Sequence, residues 1–306
     1  MNDYVTLTLG FVCAAVGGEL FLRGTVGIAH WARVSPGIIG ATVVAFATSS
    51  PELTVSISAA LAGTPQISIG DALGSNVVNV ALILGAVVAI SGIQTPRSSL
   101  KRDFPLALLI PAVTLVMLLD GVLSRIDGLL LVGMFLAWVV AVIAEARKQR
   151  SAAEKLLGEQ RGWLAAMLSV AGLVLLIAAG RLVVNGAKGI AVAAGLNEFT
   201  IGATVVAVGT SVPELATTVI AKLRGHDEVG LGTILGSNIF NGLLIVGVAA
   251  IIYPIDIGWQ KVAATLIFGM LAVALAFPTG RGFIERRRGA LLLTLYAAYV
   301  ITVLQR

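Results

Sequence analysis

The chain has 306 residues, 58% of them hydrophobic and only 12% charged, with a mean hydropathy of +0.98. A soluble domain carries roughly twice that charge, so a water-soluble enzyme or binding module is excluded. The net charge of +5 points to no nucleic-acid partner, because the basic residues are spread between apolar runs of about 20 residues, the length a helix needs to cross a bilayer.

Ten apolar spans are predicted, at 5–28, 36–62, 67–91, 104–119, 128–145, 163–185, 198–222, 229–253, 260–277 and 288–304. No basic leader or small-residue cleavage site precedes the first, so it reads as a retained helix. It holds Cys13, the single cysteine, which excludes an internal disulfide. Glu19, in the same span, is expected to anchor at the interface or to pair with Arg181.

The second span contains IGATVVAFATSSPEL, Ile39 to Leu53. It sets Glu52 near mid-span, where a charged carboxylate costs roughly 2.5–3.5 kcal/mol. Pro51 beside it lacks an N–H and pushes against the carbonyl of Ala47. A hydrogen-bonded glutamate and an ordinary proline kink are the plainer accounts of these two residues. The third span opens on GDALGSNVVNVALILG, Gly70 to Gly85. Ser75 and Asn79 are four residues apart and share a helix face. Asp71 is read as an N-cap or as an acidic group on an ion path. Asp120 and Asp127, around the turn between spans four and five, are expected to be solvated. The polar stretch from Glu145 to Gly162 reads as a linker.

Spans six to eight say the same thing again. Ile201 to Leu215 reads IGATVVAVGTSVPEL and differs from the first copy only at 208, 209 and 212. A constant spacing of 162 residues then carries the register into GTILGSNIFNGLLIVG, Gly232 to Gly247. Pro213, Glu214, Ser237 and Asn241 therefore stand where Pro51, Glu52, Ser75 and Asn79 stand in the first half. His30 and His226 fall in loops without a partner at metal-binding spacing, and Arg286, Arg287 and Arg288 read as an anchor at one membrane face.

With the N-terminus outside, inward segments hold sixteen of the 21 Lys and Arg residues. That bias follows the positive-inside rule and places both termini outside, with the 145–162 linker cytoplasmic. The repeat spans five helices, an odd number, so its second copy must insert upside down. The fold expected is an all-α polytopic membrane protein of two inverted five-helix repeats, 1–144 and 163–306. Transporters of this architecture carry their polar site at the interface of the repeats.

Two carboxylates with hydroxyl, amide and freed backbone oxygens form a hard, oxygen-only ligand set suited to Ca²⁺. The same charges could hold several Na⁺ instead, and competition for one set of ligands gives antiport. Protons could compete too, since desolvation raises a carboxylate pKa.

At GATVVAFATSSPE with GSNVVN, and GATVVAVGTSVPE with GSNIFN, the chain resembles the cation/Ca²⁺ exchanger superfamily, in its prokaryotic sodium/calcium exchanger branch. The resemblance implies that Glu52, Glu214, Thr48 and Thr210 bind Ca²⁺. For Na⁺ it implies the two glutamates with Ser49, Ser211, Ser75, Ser237 and the carbonyls of Ala45 and Ala207. Asn79 and Asn241 would line the centre, and spans one and six would slide against the rest. Three departures or choices refine the coupling expected. Ala47 stands where the second copy has Gly209. Asn241 stands where K⁺-dependent relatives carry aspartate, which argues against K⁺ co-transport. Thr-Ser before the Pro-Glu pair, rather than Gly-Asn-Ala, speaks for Na⁺ over H⁺.

The function expected is therefore Na⁺/Ca²⁺ antiport by alternating access across the plasma membrane, independent of K⁺. A H⁺/Ca²⁺ or K⁺-dependent exchanger is the nearest alternative, and a passive cation channel is the alternative of another class. No nucleophile–base set suggests an enzyme. Neither a cofactor, a nucleic-acid partner nor an obligate protein partner is expected beyond the bilayer and the two transported ions.

Overall fold

The bilayer-length runs of the sequence become helices, and the interruptions between them fall at Gly, Pro and polar residues. The computed structural model describes residues 3–153, 162–193, 207–278 and 282–305. In chain order the helices are α1 (Asp3–Ala32), α2 (Pro36–Thr48), α3 (Ser50–Leu61), α4 (Pro65–Ser91), α5 (Ser99–Asp120), α6 (Arg125–Ala153), α7 (Gly162–Ala193), α8 (Ala207–Thr210), α9 (Val212–Leu223), α10 (Asp227–Ile252), α11 (Trp259–Ala276) and α12 (Arg286–Leu304). Four two-residue strands lie between them: β1 (Ile93–Gln94), β2 (Val122–Leu123), β3 (Ile255–Asp256) and β4 (Phe283–Ile284).

Seven of the described helices are long and apolar enough to cross a membrane, or eight if the bent pair α2–α3 counts as one span. Of the two other predicted spans, 198–222 begins outside the described residues. The span at 288–304 is helix α12, which opens on three arginines. Helix α6 runs past the start of the predicted linker to Ala153, where the chain leaves the described residues at 154–161. Its sequence there, EARKQRSAA, is made largely of good helix formers, so polarity alone did not end the helix.

The chain divides into two compact units, Met1–Thr48 with Ala144–Thr233, and Ser49–Ile143 with Ile234–Arg306. In the first, α1 lies along α7. Phe21, Leu22, Ala29, Ile39, Val44, Leu176, Ala221 and Val229 form one core cluster. Small residues set the approach of the two long helices, as is usual where lipid supplies no hydrophobic drive between them. A Cβ at Gly172 would sit 2.7 Å from Cα of Phe21, and one at Gly10 2.8 Å from Cγ2 of Val183. Backbone cannot yield as a flexible side chain can. Gly172→Leu is therefore expected to cost about 1–3 kcal/mol or more, read as a lowered thermal midpoint of the detergent-solubilised protein.

In the second unit α12 packs on the C-terminal part of α4, α11 on α5, and α3 on α4 and α10. The strands pair antiparallel, β1 with β4 and β2 with β3. The 162-residue spacing maps β1 onto β3, so each half of the sequence lends a strand to the other. Side chains that looked merely exposed in the sequence hold ends of helices here. Asp127 Oδ2 accepts from the backbone N–H (2.8 Å) and hydroxyl (2.6 Å) of Ser124, whose Oγ accepts from Asp127 N at 3.2 Å. That is a reciprocal capping arrangement at the start of α6, not a solvated aspartate. Arg286 donates to the carbonyl of Ala89, and Arg288 to those of Leu275 and Phe277, so two of the three arginines satisfy carbonyls at helix ends.

Candidate ion-binding site

Both glutamate helices break at equivalent residues of the repeat, two positions before the prolines. Ser49 (φ −87°, ψ 7°) leads into α3 and Ser211 (φ −85°, ψ 9°) into α9, each with proline in the first turn. Proline is tolerated there because the first-turn N–H groups lack intrahelical partners anyway. The break bends α2 against α3 by 45°. Glu52 and Glu214 thus lie in the first turn of a new helix, the end where the backbone dipole favours negative charge. Each is 1% exposed.

In the first unit Thr48, Ser211 and Glu214 are buried and Thr210 is half-buried. The short helical turn Ala45–Thr48 lies against α9 and α7. Thr48 donates its hydroxyl to the carbonyl of Val44 at 3.1 Å, which spends its proton and leaves its lone pairs for a cation. Ser211 Oγ is buried with no hydrogen-bond partner among the described residues. Gly209 explains the one glycine in the second copy where the first has Ala47. A Cβ at 209 would run into Cγ2 of Val184, and the Gly209 carbonyl sits against Gly180 of α7. Of the second copy, residues 201–206 lie outside the described residues. Ala207 starts the α8 turn.

In the second unit Ser49, Glu52, Ser75, Asn79, Ser237 and Asn241 are all buried. Helix α3, which carries Glu52, lies against the Phe240–Ile245 segment that carries Asn241. Both α4 and α10 widen to π-helical geometry at matched positions, Val78–Leu84 and Phe240–Ile245, one residue before Asn79 and Asn241. Such bulges free backbone groups and recur at functional sites.

Two residues that the sequence reading left without a role hold this arrangement together. Asn76 Nδ2 donates to the carbonyl of Asn238, and Asn238 Nδ2 to the carbonyl of Asn76, each at 3.1 Å across a separation of 162 residues. Asn79 Nδ2 donates to Asn238 Oδ1 at 3.2 Å. With the amide protons so used, Oδ1 of Asn76, Asn79 and Asn241 and Oγ of Ser75 remain buried without a hydrogen-bond partner among the described residues. Orphaned acceptors are costly in a protein interior, and a cation is what such a set of neutral oxygens suits. The signal for Asn76 and Asn238 was present, since GSN occurs twice in register.

Asp71 is not an N-cap. Thr64 occupies that position, and Asp71 lies in the second turn of α4 with Oδ2 buried and without a hydrogen-bond partner among the described residues. Its position in the repeat is taken by Thr233, which donates back to the carbonyl of Val229 at 2.9 Å. Thr217 and Thr218, one turn beyond Glu214, are a second polar feature that the sequence reading passed over; both hydroxyls are buried without a partner among the described residues.

The family model described as sodium/calcium exchanger protein matches residues 3–144 and again 164–305. This chain belongs to the sodium/calcium exchanger family. It is 30% identical over 346 residues to the sodium/calcium exchanger MaX1 of Methanosarcina acetivorans, covering 98% of each chain. It is also 37% identical over 233 residues to the inner membrane protein YrbG of Escherichia coli, covering 73% of this chain and 72% of the other. The sodium/calcium exchanger from Methanococcus jannaschii, a solved structure, superposes with a TM-score of 0.83 at 30% identity, over 98% of this chain and 97% of that one. Like other members of the family, the chain is a multi-pass membrane protein and a transporter.

Proposed function

We propose that the chain is a secondary antiporter that moves Ca²⁺ against Na⁺ by alternating access, without need of K⁺. The carrying observation is the pair of glutamates, 1% exposed, each set one residue after a proline at a matched helix break. An ionised carboxylate at membrane depth needs a counter-charge, and Ca²⁺ or Na⁺ supplies it. Thr48, Thr210 and the two glutamates serve Ca²⁺. Ser49, Ser211, Ser75, Ser237 and the carbonyls of Ala45 and Ala207 add the ligands for Na⁺, while Asn79 and Asn241 line the centre.

The proposed architecture is ten spans in two inverted repeats, 1–144 and 163–306, with both termini outside and the intervening linker in the cytoplasm. The reciprocal Asn76–Asn238 bonds and the exchanged strand pairs support a pseudo-twofold relation between the halves. Neutral Asn241 supports independence from K⁺, since the site then carries two carboxylates and no third.

Proteoliposomes loaded with Na⁺ and diluted into Na⁺-free buffer are expected to accumulate radioactive Ca²⁺, with no K⁺ and no pH gradient present. Uptake driven only by a pH gradient would transfer the coupling to protons, and a requirement for internal K⁺ would overturn K⁺ independence. Passive, non-saturable Ca²⁺ flux would replace the exchanger with a channel.

A further inference from the structure

One cavity of the first unit is unrelated to the glutamates. It has a volume of about 340 Å³ and opens where the C-terminal third of α1 meets the turn between α9 and α10. Its walls carry Glu19, Arg23, His30, Arg224 and His226 over an apolar floor of Leu22 and Val26.

Two guanidinium groups converge there on one carboxylate. Arg23 Nε donates to Glu19 Oε1 at 2.6 Å, and Arg224 reaches Glu19 with Nε at 2.9 Å and its terminal nitrogen at 2.7 Å. Glu19 therefore pairs with Arg224, not with Arg181 as one sequence reading had it. The neighbouring Lys222 is answered locally by Asp227 at 2.9 Å, and the His226 ring lies 3.5 Å from Glu228. Among the described residues the Arg23–Glu19–Arg224 group carries one net positive charge. The arginine side chains remain 63% and 55% exposed, with donors available to a second anion.

The depth of the cavity is marked by tryptophans. Trp31 follows His30, and its ring lies over Gly162 beside Trp163; Trp31 and Trp163 are 60% and 62% exposed. Exposed tryptophans on membrane helices belong to the interfacial belt. The cavity then stands at head-group level, and guanidinium forks match phosphate oxygens. Basic pockets between helices at the cytoplasmic face are a recognised form of anionic-lipid site.

We propose that this cavity binds the phosphate of an anionic phospholipid head group, held by Arg23 and Arg224, with Glu19 orienting both guanidinium groups. The lipid spans the junction of α1 with the α9–α10 turn. Assigning it to the cytoplasmic leaflet rests on the orientation proposed above; the binding itself does not, and its test is independent of transport.

Native mass spectrometry of the detergent-purified full chain, titrated with phosphatidylglycerol or phosphatidylcholine, reads the site directly. One phosphatidylglycerol is expected to bind preferentially. Each of Arg23→Gln and Arg224→Gln should weaken it on the order of fivefold, from about 1 kcal/mol per basic residue at the surface. The charge-preserving lysine variants should retain most of the binding, and Arg125→Gln, outside the cavity, should retain all of it. Unchanged phosphatidylglycerol preference in the double glutamine variant would overturn the site. Displacement of the lipid by millimolar inorganic phosphate would overturn the lipid as ligand and make this a site for a soluble anion. Thermal unfolding of each variant separates lost binding from lost fold.

Discussion

Glu52→Gln and Glu214→Gln are each expected to abolish Na⁺-driven Ca²⁺ uptake. The argument is electrostatic and applies to each residue by itself. Each carboxylate is 1% exposed, so water cannot take over its role when the charge is removed. Glutamine keeps the shape and one carbonyl oxygen but removes a full negative charge from the proposed site for a divalent ion. Truncating one member of a buried charge pair costs about 2–5 kcal/mol, which is roughly a 30- to 5,000-fold loss of affinity. The measurement is Ca²⁺ uptake into Na⁺-loaded proteoliposomes, with elution profile and thermal midpoint as checks on folding. Near-normal exchange in either folded variant would sink the assignment of that glutamate as an ion ligand. Thr48→Ala should be milder, because the hydroxyl is one neutral oxygen among several in the proposed ligand set.

Asn76→Ala and Asn238→Ala are expected to destabilise the protein by about 1–3 kcal/mol each, the cost of leaving a buried carbonyl without its donor. Since the two bonds join the same stretches of α4 and α10, their effects should be coupled. A double-mutant cycle is expected to depart from additivity by about 0.5–3 kcal/mol. Transport should separate the pair. Asn238 also holds the amide of Asn79 at 3.2 Å, whereas no matching bond ties Asn76 to Asn241. Asn238→Ala should therefore shift the apparent Ca²⁺ affinity, while Asn76→Ala should lower stability with little change in affinity. Equal affinity shifts in both variants would show that the clasp acts as one unit and that Asn79 is not aimed by Asn238.

Much of the candidate site could be read directly from residue order. A glutamate after a proline inside an apolar run is expensive, and a second copy at constant spacing is hard to explain by packing. The faces shared by Ser75 with Asn79 and Ser237 with Asn241, and a disturbed helix beside Pro51 and Pro213, follow from local rules of helix geometry. Other features escaped that reading for definite reasons. Asp71 looked like a cap because it lies near the start of an apolar run, but Pro65 starts the helix a turn and a half earlier. Asp127 looked solvated because its partner, Ser124, is visible only once the chain turns there. The arginines at 286 and 288 read as an anchor at one membrane face, and the carbonyls they meet come from other helices.

The apolar runs by themselves determined the helices, because a segment of bilayer length has no other way to satisfy its backbone. Register between the two copies likewise determined which side chains are equivalent, including the two glutamates. Only the tertiary structure decided which equivalents touch. Asn76 meets the backbone of Asn238, and β1 pairs with β4 while β2 pairs with β3. Glu19 takes Arg224 as partner, a residue 205 positions away. Sequence spacing constrains neighbours within one helix, a turn or two away, whereas contacts across helices depend on how their faces dock. That docking rests here on glycines such as Gly172 and Gly180, whose missing side chains let one backbone approach another.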